Sequence, residues 1–224
     1  MTAQQPLIAV IGGTGKLGAA LARRWLNAGL DVVIGSRDPT RAAHTAARPA
    51  RTGQSLRVVS NQEAAAAGDI VVITVPYAAQ ADTLGDIRTA VAGKLVVDTT
   101  VPLVPPKVMR VQLPPEGAAA VRAQRLLGES VTVVSAFHNV PAQRLAADER
   151  INCDVLVFGD SREARTRALR LVKAAGLRGL HGGPLVNSAA AEALTSVLIF
   201  INKTYAVDGA GVLLTGQFTE LDGE

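Results

Sequence analysis

The sequence predicts an α/β fold: a Rossmann-like, doubly wound parallel sheet with a C-terminal helical dimerisation extension. Three observations predict it. Short apolar runs rich in Val and Ile recur at 7–11, 31–34, 69–75 and 94–98, and strands read this way when helices cover both faces of their sheet. Segments with helical spacing separate them, an alternation that implies parallel strands joined by right-handed crossovers. The first run breaks into Gly13-x-Gly15-x-x-Gly18 and resumes with Leu17, Leu21 and Trp25 four apart, so a buried strand turns directly into a helix that stops at Gly29.

That junction is a dinucleotide fingerprint in the context the motif requires. Gly13 permits the tight turn, Gly15 lets backbone approach a pyrophosphate, and Gly18 lets helix and strand pack closely. Phosphate then sits on the unpaired N–H groups at the helix start, where the helix dipole also favours negative charge. The second strand says which dinucleotide. An NAD site carries Asp or Glu roughly 20 residues after the glycines, whereas this chain has Ser36 and Arg37 there. A hydroxyl and a guanidinium can bond a 2′-phosphate that a carboxylate would repel. Asp38, followed by Pro39, reads as the N-cap of the next helix, and Arg41 in its first turn adds a second cation.

Further along, 40–47 is expected to be helical, 48–54 a polar loop with Pro49 and Gly53, and 56–59 a strand. Ser60-Asn61-Gln62-Glu63 has capping-box spacing before an alanine run that stops at Gly68. A strand at 69–75 ends at Pro76-Tyr77, a helix over 78–92 is weakened by Gly85, and 94–98 is the next buried strand. Ligands in such sheets bind at the carboxyl ends of the strands. That places Val75-Pro76-Tyr77 and Thr99-Thr100-Val101-Pro102 on the cleft. Five prolines between 101 and 116 exclude regular structure over most of that stretch, and a loop so long is usually functional or mobile.

A strand at 131–136 delivers Phe137-His138-Asn139-Val140-Pro141, so His138 is expected on the ligand side of the sheet. Residues 154–159 form a strand, Asp160-Ser161 caps a basic helix ending at Gly176, and 177–180 is a brief last strand. The helix over 189–206 is apolar on more than one face and is expected to pack on a subunit partner as well as on its own sheet. Glu192 on it has the bland alternative of a solvated helix position. The acidic end, 220–224, reads as frayed. The organisation expected is a nucleotide domain over 1–187, with the helix and tail of 188–224 as part of the same unit.

Composition narrows the function classes. Of 224 residues, 48% are hydrophobic and 19% charged, which excludes a disordered chain. No apolar run approaches the roughly 18 residues of a membrane span, and residues 1–6 lack a signal-like pattern, so a cytoplasmic protein without a membrane partner is expected. Cys153 is the sole cysteine, and His44, His138 and His181 lack ligand spacing, so no metal site is expected. Net charge is +4, but only 3% of residues are aromatic and the arginines are scattered, which argues against nucleic acid. The positive balance suits small anions instead.

In their order along the chain, Gly12-Gly13-Thr14-Gly15-x-Leu17-Gly18, Gly35-Ser36-Arg37, Thr74-Val75-Pro76, Val101-Pro102 and Ala136-x-His138-x-x-Pro141 resemble the NADPH-dependent coenzyme F420 reductase family. Gly183-Pro184-Leu185-x-Asn187-Ser188 and Glu192-Ala193-Leu194-Thr195 are similar to that family's C-terminal dimerisation region. The resemblance covers nearly the whole chain. It implies hydride transfer between NADPH and a 5-deazaflavin, with the two rings stacked in the crevice, in a homodimer. It also implies that Thr14, Gly15, Lys16 and Leu17 bind the pyrophosphate, that Ser36, Arg37 and Arg41 bind the 2′-phosphate, and that Val75, Ala79, Val101 and Ala142 line the groove. His138, with Asn139 and Val140, would border and orient the deazaflavin.

Hydride transfer between two preformed cofactors needs stacking, distance and water exclusion more than a strong acid or base, so no catalytic triad or dyad is expected. Two readings stand beside it: an NADP-dependent reductase of a small imine or carbonyl, with His138 as proton donor, and a non-enzymatic NADPH-sensing module.

Overall fold

The computed structural model describes residues 5–46, 56–147 and 149–219. Its strands are β1 (Ile8–Ile11), β2 (Val32–Ser36), β3 (Arg57–Ser60), β4 (Ile70–Ile73), β5 (Leu95–Asp98), β6 (Thr132–Ser135), β7 (Asp154–Phe158) and β8 (Arg178–Gly183). Between them lie α1 (Lys16–Asn27), α2 (Pro39–Ala46), α3 (Asn61–Ala67), α4 (Tyr77–Ile87), α5 (Ala119–Leu127), α6 (Ala142–Ala146) and α7 (Arg162–Ala174). A 3-10 turn at Leu185–Asn187 leads into α8 (Ser188–Tyr205). The end of the helix expected over 40–47, the loop 48–54 and the tail 220–224 lie wholly or partly outside the described residues.

The strands form one sheet in the order β3-β2-β1-β4-β5-β6-β7-β8. The first six run parallel, and the order reverses between β1 and β4, which creates the switch-point crevice. The last pair departs from the parallel expectation: β7 pairs antiparallel with β6 through Ser135 and Phe158, and β8 runs parallel to β7. The chain leaving β6 at the carboxyl side therefore re-enters the sheet from that same side. It needs no crossover, and His138 lies on this connection.

Alternation along β1 explains why both faces are covered. Ile8 and Val10 meet Leu21 and Trp25 of α1 and Leu171 and Val172 of α7 in one core, whereas Ala9 and Ile11 join Ala64, Leu84, Ile87, Ala123 and Leu127 in the other. Each large aliphatic buried this way contributes about 1.5–3 kcal/mol. Trp25 is fully buried because its indole N–H finds the Leu171 carbonyl at 2.8 Å.

The capping box forms as expected: Ser60 Oγ accepts from Glu63 N–H at 3.2 Å while the Glu63 carboxylate accepts from Ser60 N–H at 2.9 Å. Residues 99–118 contain no helix or strand, in line with their prolines. Helices α5 and α6 form in stretches for which the sequence carries no expectation of a regular element. Within Leu185–Tyr205 an 18-residue window has a mean hydropathy of 1.4, so by length and composition alone this helix could cross a membrane. In the fold it seats Ser188, Ala191, Glu192, Ser196 and Leu198 against the protein.

Candidate active site

A cleft of about 720 Å³ crosses the carboxyl ends of the parallel strands at the switch point. At its middle, β1 turns into α1. Gly12 takes the left-handed conformation at φ +78°, where a side chain would sit 2.7 Å from Val75 Cγ1. The tight turn expected at Gly13 is thus made one residue earlier. Gly18 serves the expected close packing, since a Cβ there would lie 2.8 Å from Gly13 Cα and against Thr74 Oγ1. Gly13 and Gly18 shape the wall from behind, whereas Gly12, Thr14, Gly15, Lys16 and Leu17 line the cleft. The N-cap residue of α1 is Gly15, no side chain caps the helix, and its first turn carries no acidic residue. Its free N–H groups open on the cleft and fit an anion.

Toward β2 the wall becomes basic. Ser36, Arg37 and Arg41 line this end, and both arginines are exposed. Asp38 also lines this end, and its Oδ1 accepts from Arg41 N–H at 3.0 Å as the cap of α2. Asn61, Ala79 and Thr83 complete this end. The floor is finished by two threonines: Thr74 Oγ1 donates to Ile11 O at 2.8 Å and Thr99 Oγ1 to Ile73 O at 2.9 Å, satisfying strand-end carbonyls. Asp98, fully buried, accepts from Thr100 N–H at 3.0 Å, Thr100 Oγ1 at 2.6 Å and Gln80 Nε2 at 2.6 Å. Burial pushes its pKa up despite those donors.

The far end is built by β6 and α8. Phe137 adopts φ +65°, a conformation that is uncommon outside glycine. Its ring packs edge-on to Trp25, with centroids 6.0 Å apart, so core burial offsets the backbone cost and the turn throws His138 back over the sheet. His138 is 7% exposed and its Nε2 lies 2.6 Å from Ser135 Oγ. Burial lowers its pKa to about 4, so the ring is neutral at physiological pH. Asn139 Nδ2 donates to Ala191 O at 2.9 Å and to Thr195 Oγ1 at 3.0 Å, and Thr195 Oγ1 lies 3.1 Å from His138 O.

Most of the residues singled out from sequence thus meet in one cleft: Thr14 to Leu17, Ser36, Arg37, Arg41, Val75, Ala79, Val101 and His138. Ala142 does not join them. It starts α6 and lines a neighbouring pocket of about 380 Å³, which shares His138, Val140 and Thr195 with the cleft. Glu192 is not a solvated residue: it is 1% exposed and bonds the start of α5. Thr100 lines the cleft as expected, whereas Asn61, Leu103 and Thr195 carry no site expectation from the sequence, although Thr195 stands in a segment noted for its resemblance.

An open helix N-terminus at a switch point, flanked by two arginines, defines a Rossmann-type nucleotide-binding protein suited to a 2′-phosphate. A family model described as NADP oxidoreductase coenzyme F420-dependent matches residues 7–102. The F420-dependent NADP reductase of Methanothermobacter thermautotrophicus is 40% identical over 93% of this chain and 94% of its own length. That of Methanocaldococcus jannaschii is 34% identical over 93% and 97%. The chain belongs to the F420-dependent NADP reductase family. Among solved structures, a candidate F420-dependent NADP-reductase from Arthrobacter sp. FB24 superposes with a TM-score of 0.81 at 23% identity, covering 94% of this chain and all of that one, a likeness of fold.

Proposed function

We propose that the protein transfers a hydride between NADPH and coenzyme F420. The observation that carries this reading is the continuity of one cleft from Arg37 and Arg41, past the uncapped start of α1, to His138 and Thr195. The nicotinamide and deazaflavin rings supply the two-electron chemistry between them. The chain's own residues bind and orient. Ser36, Arg37 and Arg41 hold the 2′-phosphate, and the N–H groups behind Thr14 to Leu17 hold the pyrophosphate. Val75, Val101 and Leu103 give the nucleotide an apolar bed. His138, neutral and fixed by Ser135, presents a rigid edge to the ring end.

A neutral histidine does not carry the proton that a small imine or carbonyl acceptor requires as hydride arrives. The site therefore favours an acceptor ring that serves as its own electron sink. The same reading includes a cytoplasmic homodimer joined through α8, which leaves Val197 42% and Phe200 52% exposed on the described chain. Val197→Asp should yield monomer or aggregate in light scattering, because an unpaired charge is costly in an apolar contact. A monomeric wild type would end the dimer proposal.

To test the reaction, purified protein is mixed with NADPH and, in parallel, with F420 or a cyclic imine. NADPH absorbance should fall with F420 and persist with the imine. Consumption with the imine alone would overturn the proposal.

A further inference from the structure

The N-cap residue of α5 is Ala118, which offers no side-chain cap. The helix is capped from α8 instead: Glu192 Oε2 accepts from Ala119 N–H at 2.6 Å and Oε1 from Ala120 N–H at 3.2 Å. Gln80 of α4 ties the same cap to β5, donating to Ala119 O at 3.1 Å and to Asp98 Oδ2 at 2.6 Å. The residues flanking Glu192 on α8 reach the cleft. Ala191 O and Thr195 Oγ1 both receive the Asn139 amide, and Thr195 meets the His138 carbonyl. One helix is thus held to α5 by a carboxylate and, within a turn of it, holds the turn that carries His138.

We propose that Glu192 is the positioning residue for the ring end of the cleft. By clasping α8 to α5 it sets Thr195, and through Thr195 and Asn139 it sets His138 where the acceptor ring packs. The inference rests on the hydride-transfer reading for the identity of that ring. The clasp is pH-dependent: the N–H groups at the helix start favour the ionised carboxylate, and burial opposes it more strongly. Burial raises the Glu192 pKa to about 7, with buried Asp98 on β5 adding to the rise and the Ala119 and Ala120 amides and the Ser188 hydroxyl opposing it. Asp98 is the charged group acting on it among the described residues; His138, on the neighbouring turn, is neutral. The clasped carboxyl holds its proton more tightly than one in water, so the clasp tightens as pH falls from about 7 toward 4.5 and is weakest when ionised.

The test uses the full chain as wild type, Glu192→Ala and Glu192→Gln. NADPH affinity is read from its fluorescence, KM for F420 from turnover, and backbone protection from hydrogen exchange, corrected for intrinsic rate, at 12–18 and 137–141. Glu192→Ala should raise KM for F420 about tenfold or more and speed exchange at 137–141. Exchange at 12–18 and NADPH affinity should stay within about twofold of wild type. Glu192→Gln should recover part of the loss and remove the rise in 137–141 protection that wild type shows as pH falls below about 7. An unchanged KM for F420, unchanged protection at 137–141, or a parallel loss at both segments would overturn the positioning role. If Glu192→Ala does not fold, the pH dependence of protection in wild type against Glu192→Gln decides. That exchange measurement also stands if wild type transfers no hydride to F420, a result that would sink the functional reading alone.

Discussion

Helices α1 and α5 both begin without a capping side chain of their own, and they meet that need in opposite ways. The start of α5 is sealed: Glu192 supplies a carboxylate from α8, at 2.6 and 3.2 Å from the first two N–H groups. The start of α1 receives no such group and opens on a cleft with Arg37 and Arg41 nearby. A helix N-terminus favours an anion in either setting. Where the chain supplies the anion the result is architecture. Where it leaves the position open at a switch point, the anion comes with a ligand.

Filling the open end should have the largest effect. In Gly18→Leu the new side chain would collide with Gly13 Cα at 2.8 Å and with Thr74, forcing α1 away from the pyrophosphate position. NADPH affinity should fall by a hundredfold or more, about 3 kcal/mol, with far-UV dichroism near that of wild type. Undiminished affinity in a fluorescence titration would show that the α1 start is not the phosphate site.

The sealed end should show itself in the pH dependence of stability. A carboxyl whose folded pKa is raised binds more protons folded than unfolded, so stability falls as pH rises from the unfolded value toward the folded one and levels off above it. For Glu192 the window runs from 4.5 to about 7, and the change is of the order of 3 kcal/mol. Urea titrations of wild type and Glu192→Gln should therefore differ in slope within that window and run parallel above it. Parallel curves throughout would contradict the buried-carboxylate account.

The contrast also explains what could be read without a structure. The demand at α1 is announced locally, by glycines, by Ser36-Arg37 and by the run of strands, so nearly every cleft residue on β1, β2 and β4 was legible. The cap of α5 comes from 73 residues away, and no local pattern marks either partner. Both the helix and the burial of Glu192 were therefore missed. A stop at Gly128, which takes φ +84°, and the apolar spacing of Ala119, Ala120, Ala123 and Leu127 were the available signal for α5. The antiparallel return through β7 was hidden for a similar reason, since strand direction depends on where the 136–153 connection travels. Ala142 was carried over from the resemblance; the structure places it on the neighbouring pocket.

A smaller effect is expected at the basic end, where one side chain among several is removed. Arg37→Ala should weaken NADPH binding by roughly tenfold to a hundredfold, the worth of charge-assisted hydrogen bonds of about 1.5–3 kcal/mol, and leave NADH binding unchanged. Parallel titrations that show equal losses for both nucleotides would remove the 2′-phosphate from this end of the cleft.

The central claim is that the ring end orients two cofactors and donates no proton. Stopped-flow reduction of F420 by NADPH, with wild type and His138→Asn compared between about pH 5.5 and 8, tests it most directly. With His138 neutral down to about pH 4, wild type should reduce F420 and the variant should retain measurable turnover. The ratio of their rates should stay constant across the range. A wild type that leaves F420 oxidised would contradict the account, as would a ratio that changes through a single ionisation near 6.5 with a loss above about a thousandfold.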